Sequence, residues 1–161
     1  MNNWENNRNR NSYRNKNTLN DQAKSDKAVL EKKDSDNVLI LDKIGYVTQA
    51  EKVIQEMNKN KNKITTTKIR SILRMLNQLQ REAVQRQTEE LDEEFQSSLQ
   101  YYKMRCVYEA GREPTVKTFM EKSQLIALVD WIGSSKNNFL LYCHYVEALV
   151  AFHRYYGGKD K

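Results

Sequence analysis

The chain has 161 residues, 39% of them hydrophobic and 30% charged, with a net charge of +6 and a pI near 9.2. That length suits one domain of ordinary size, and the positive balance favours polyanionic partners. No apolar run approaches the ~18 residues of a membrane span, and the first residues lack the apolar core of a secretion signal, so the expected location is cytoplasmic. Cys106 and Cys143 are the only cysteines and form no CxxC pair. With two histidines they do not make a zinc site, and both read as small buried apolar groups in a reducing compartment.

Residues 1–20 hold nine Asn and four Lys/Arg against one acid. Residues 21–37 are a polar charge mixture. Too little here is buriable to offset the entropy of ordering, so 1–37 is expected to be a disordered polar and basic arm. Its Trp4 and Tyr13, among Arg8, Arg10 and Arg14, suit base stacking and phosphate pairing, and the favoured alternative is a solvated tail. A single helical-bundle domain is expected over 38–161, starting near Val38–Leu41. Val47, Ala50, Val53/Ile54 and Met57 recur at helical spacing, which predicts a first helix. The run 58–63 alternates Asn and Lys and breaks it.

Thr65 or Thr66 can cap a second helix, whose core stripe is Ile69, Ile72/Leu73, Leu76, Leu79 and Ala83. A third helix is expected over Glu89–Ala110, with an acidic start and the stripe Leu91, Phe95, Leu99, Tyr102 and Cys106. Gly111 is expected to cap it and Pro114 to bar its continuation. A fourth helix, kinked or divided near Ser123, is expected over Val116–Ile132. The last runs from about Lys136 to Tyr156 through Phe139/Leu140, Tyr142/Cys143, Val146, Leu149, Phe152 and Tyr156, and Gly157-Gly158 closes it. No strand alternation bounded by hairpin turns is present. The expected fold is all-α, a compact bundle of about five helices.

Between residues 57 and 81 there are seven Lys/Arg and no acid. On a helical wheel Arg70, Arg74, Asn77 and Arg81 form a straight stripe roughly 120° from the apolar sector. Successive members at spacings of three and four stand ~5–6 Å apart, close to the phosphate spacing of an extended strand. Lys68 lies on the other flank, nearer the helix N-terminus. A solvated helix face usually mixes charge signs, whereas here the acids are displaced to 82–94, which points to phosphate contact. A membrane surface is a poorer fit, because the apolar side is needed for the core and carries no Trp or Phe anchor. A second basic set comprises Lys103, Arg105, Arg112 and Lys117, interleaved with Tyr101, Tyr102 and Tyr108. Aromatics among cations suit single-stranded RNA, although Tyr102 also belongs to the core stripe.

No catalytic or metal constellation is apparent. His144 and Glu147 stand three apart in the reverse order of a di-iron Glu-x-x-His pair, and no second pair exists. No phosphate-binding Gly loop or nucleophile elbow is present. An enzyme is therefore not expected, nor a cofactor, a metal or a small-molecule substrate.

Three elements, taken in order, resemble a known family. They are Ile64-Thr-Thr-Thr-Lys-Ile-Arg70; then Tyr101-Tyr102, Tyr108-x-Ala110-Gly111-Arg112, Val116 and Phe119; and Phe139-x-x-Tyr142-x-x-Tyr145-Val-Glu-Ala148-Leu-Val150. Together, over about 45–157, they resemble the small helical subunit of type III-A CRISPR effector ribonucleoproteins, the Csm complex. The resemblance implies a non-catalytic subunit that stacks in several copies and lines the path of target RNA as it pairs with guide RNA. Its partners would be those RNAs, the large and backbone subunits, and other copies of itself, in antiviral defence. It also implies that the Lys68/Arg70 element and the Arg112 turn contact RNA. Two alternatives stay open: a stand-alone helical RNA-binding module, and a structural adaptor whose basic face docks an acidic protein.

Overall fold

The computed structural model describes residues 39–59 and 64–158. The N-terminal arm expected over 1–37, and most of the polar break before the second helix, lie outside them. Six helices follow in chain order: α1 (Tyr46–Asn58), α2 (Thr66–Gln85), α3 (Glu93–Arg112), α4 (Pro114–Ser123), α5 (Leu125–Ile132) and α6 (Lys136–Tyr155). Among the described residues the fold is all-α, with one isolated antiparallel bridge between Glu90 and Ser135.

The apolar spacing explains the packing. Every member of the α2 stripe is buried except Leu73, which is half-buried, and every member of the α3 stripe is buried. In α1, Ala50, Val53, Ile54 and Met57 face inward, while Val47 is exposed. Helix α6 occupies the centre, packing chiefly against α1 and α2 and also against α5. It buries Phe139, Tyr142, Tyr145 and Leu149 completely. Phe139 meets Phe95 of α3 edge-on, with ring centres 5.1 Å apart, a favourable quadrupole arrangement.

The buried tyrosines and His153 in this core have polar partners, whereas the buried Thr66 hydroxyl has none among the described residues. The Tyr142 hydroxyl donates to the Leu125 carbonyl at 3.2 Å. Its one proton so committed, it accepts from Tyr102 at 3.3 Å. The Tyr145 hydroxyl donates to the Ser123 carbonyl at 3.2 Å. The His153 Nε2 lies 2.9 Å from the Ile64 carbonyl, which only accepts, so Nε2 carries the proton. Gly158 packs on this ring so closely that a Cβ there would come 2.2 Å from Cε1 and Nδ1.

Several boundaries differ from the periodic expectation. Residues 89–92 are not helical: Leu91 N donates to Ser134 O at 2.8 Å and Lys136 N to Glu89 O at 3.0 Å. Asp92 then caps α3, accepting from Phe95 N at 2.9 Å. Gly111 does not end α3, which continues through Arg112; the break comes at extended Glu113, with Pro114 as the first residue of α4. The fourth helical segment is divided next to Ser123, as expected, at Gln124, which adopts a left-handed φ of 53°. The Gln124 side-chain oxygen accepts from Leu39 N at 2.7 Å, a contact across 85 residues. Gln is a poor residue for this conformation, and a tertiary contact of this kind offsets the cost. Thr65 caps α2 as expected, accepting from Lys68 N at 3.4 Å.

Candidate nucleic-acid interface

Helix α2 presents the basic stripe to solvent. Its buried side, Ile69, Ile72, Leu76, Leu79 and Ala83, is held by α6 and α3, which forces Arg70, Arg74 and Arg81 outward, and all three are exposed. Asn77, the fourth member of the stripe, is half-buried. Among the described residues Arg74 and Arg81 form no ion pair, so their guanidinium charges stand unneutralised.

The other candidates divide by their partners. Lys68 pairs with Glu113 at 2.9 Å, joining the start of α2 to the α3–α4 corner. The Lys68 ammonium and then the Thr115 hydroxyl, both donating to Glu113, hold its carboxyl below the usual range. Lys103 donates to both oxygens of Asp130 at 2.6 Å, linking α3 to α5. Lys117 reaches Glu121 one turn on at 3.9 Å. Arg105 and Arg112 flank the Tyr108 ring, 6.0 and 5.5 Å from its centre, in cation–π contact. The structure thus brings Arg70, Arg74 and Arg81 together on one ridge. Arg105 and Arg112 form a second group around Tyr108 on α3, and Lys68, Lys103 and Lys117 are engaged in ion pairs.

A groove of about 440 Å³ runs between α2 and α3. Met75, Gln78 and Glu82 line one side, and Ser97, Tyr101 and Arg105 the other. Sequence reasoning singles out Tyr101 and Arg105 but not Gln78 or Glu82. Those two lie between the basic stripe and the core on the wheel, a flank with no compositional signal of its own. Beyond the groove, α3 exposes Met104, Val107 and Tyr108 on its outer side. The two thiols are buried, and burial pushes the Cys106 pKa up to about 11 and that of Cys143 higher still. Among the described residues no group of three His, Cys, Asp or Glu is placed to hold a metal ion, and no helix is long and apolar enough to cross a membrane.

These features describe a small all-helical protein with one cationic helix face. The Csm2 Type III-A family model matches residues 41–159, nearly the whole described bundle. A Mycobacterium tuberculosis protein described as "CRISPR system Cms protein Csm2" is 41% identical over 118 residues, which is 72% of this chain and 94% of that protein. Proteins of the same description from Enterococcus italicus and Streptococcus thermophilus are 39% identical over 97 residues and 35% identical over 124. Those matches cover 59% and 75% of this chain, and 69% and 98% of the relatives. The chain belongs to the Csm2 Type III-A family, and so is a small subunit of a type III-A CRISPR Csm complex.

Proposed function

We propose that the chain is a non-catalytic subunit that stacks in several copies and holds the backbones of target and guide RNA without reading their sequence. The supporting observation is the exposed ridge of Arg70, Arg74 and Arg81, aligned along one side of α2 with no acid among its neighbours on that stripe. Phosphate contacts of this kind position a strand and carry no sequence information. Arg105 and Arg112 on α3 add a second cationic group, and Lys68, Lys103 and Lys117 contribute by exchanging their carboxylate partners for phosphate. The exposed apolar side of α3 suits neighbouring protein: further copies and the large and backbone subunits. Contacts that are weak in one copy gain by avidity along a stack. The role serves antiviral defence in the cytoplasm, and cleavage chemistry belongs to other subunits.

A tagged pull-down from the native cell, with proteins and RNA identified in one eluate, tests this reading. The expected eluate holds large, backbone and guide-processing subunits with a uniform short RNA. Arg70→Ala with Arg74→Ala should lower its target RNA content while leaving the protein set intact. Heterogeneous RNA without those proteins would make the chain a stand-alone binder. Loss of proteins rather than RNA on charge reversal at Arg70 would make it an adaptor.

A further inference from the structure

We propose that the groove between α2 and α3 is a nucleobase subsite. One base of a single-stranded RNA turns out of the strand, stacks on Tyr101, and presents its edge to Gln78 and Glu82. Its flanking phosphates remain on Arg74 and Arg81. The inference rests on the RNA-binding reading above and adds a base contact to a backbone contact.

The geometry is continuous between the two surfaces. Gln78 stands four residues after Arg74 and three before Arg81, so all three are neighbours on one side of α2. The phosphate ridge is thereby the lip of the groove. Across it, Tyr101 is 61% exposed although adjacent Tyr102 is buried. The core does not need the Tyr101 ring, and its face is available. Met75 supplies an apolar surface within the same groove, which suits the flat face of a base.

The rim chemistry gives a direction to the preference. Gln78 Nε2 donates to Glu82 Oε1 at 3.3 Å. That bond commits one of the two amide N–H groups to Glu82 and leaves the Gln78 oxygen and the second Glu82 oxygen as acceptors beside one remaining N–H donor. An acceptor-rich edge takes bases with an exocyclic amino group and disfavours uracil, which offers a carbonyl at that position. Arg105 places a cation on the opposite wall, so the Glu82 charge is not the only one the strand meets.

The test uses the full chain and fluorescence anisotropy with three probes of equal length: oligocytidylate, oligouridylate and an abasic ribose-phosphate oligomer. Cytidylate should bind several-fold more tightly than uridylate, and Glu82→Gln should abolish that ratio. Tyr101→Ala should weaken cytidylate about tenfold, leaving the abasic probe unchanged. Tyr101→Phe keeps the ring and should bind as the parent does. If Tyr101→Ala leaves cytidylate binding intact while Arg74→Ala with Arg81→Ala weakens it, the base subsite is refuted and the backbone reading stands. If neither variant alters RNA binding, both fall. If Tyr101→Ala instead strips a protein subunit from the purified complex with RNA affinity unchanged, the groove holds a protein side chain and the inference is overturned.

Discussion

Removing Arg74 and Arg81 together, as alanines, should both weaken RNA binding and flatten its salt dependence. Each phosphate contact on a single strand contributes about 0.7 to the log–log salt slope, so losing two flattens it by about 1.4. A lone subunit making three or four such contacts has a slope of about −2 to −3 and loses roughly 15- to 60-fold in affinity between about 50 and 200 mM salt. The double variant should lose only about two- to ninefold over that range. The informative control is Lys68→Ala with Lys103→Ala. Those ammonium groups sit 2.9 Å from Glu113 and 2.6 Å from Asp130, so carboxylates already neutralise them in place. Their removal should flatten the slope by less than half as much. The assay is anisotropy of an end-labelled RNA across a potassium chloride series, with helix content followed by circular dichroism. Alanine is the best helix former and both arginines are exposed, so the bundle should persist. Equal flattening by the two pairs, or none from the arginine pair, would refute the assignment of contacts by ion-pair status.

Two glycines should respond in opposite directions in thermal melts. Gly158→Ala drives a Cβ into the His153 ring and should cost about 1–3 kcal/mol. Gly111→Ala sits inside α3 with nothing within 4 Å of its Cβ, and should gain about 0.5–1 kcal/mol. Cys106 and Cys143, buried with raised pKa values, should resist a thiol reagent at pH 8 in the native protein and react stoichiometrically once urea unfolds it. The Asp92 carboxyl is held below its ordinary 3.8 by the Phe95 N–H and then by Arg86. A group depressed on folding contributes its full stability above that ordinary value and loses it as pH falls through the folded value. Asp92→Asn should therefore flatten the acid limb of a stability–pH profile below about pH 4, leaving the neutral region parallel to the parent.

The parts legible in the sequence are those written at a 3.6-residue period. Ile69 through Ala83 and Phe95 through Cys106 name their own buried sides, and Thr65 announces the start of α2. The helix content and the outward ridge of Arg70, Arg74 and Arg81 follow from that periodicity alone. What periodicity does not carry is set by groups distant in sequence. A division near Ser123 is legible in the sequence, but the contact made there, Leu39 N donating to the Gln124 amide oxygen from the far end of the domain, is not. Tyr145 and His153 carry polar atoms, yet both are buried because carbonyls of Ser123 and Ile64 receive their protons. The acidic run at 89–92 has helical composition but is drawn into an extended path by Ser134 and Lys136. The pairing of Lys68 with Glu113 is equally silent, joining residues that only the packing of α2 and α3 brings together.

The central position of α6 has a consequence for biosynthesis. The helix that α1, α2 and α5 all pack against is the last of the six to emerge from the ribosome. Until Tyr142, Tyr145 and Leu149 arrive, the apolar sides of α1 and α2 lack the helix they pack against most extensively. Until α6 is made, a chain of this topology leaves those hydrophobic faces partly uncovered and available to chaperones and to premature association. Ribosome-bound chains ending before α6 should be digested by protease throughout, and chains extended past Gly158 should become resistant in a single step.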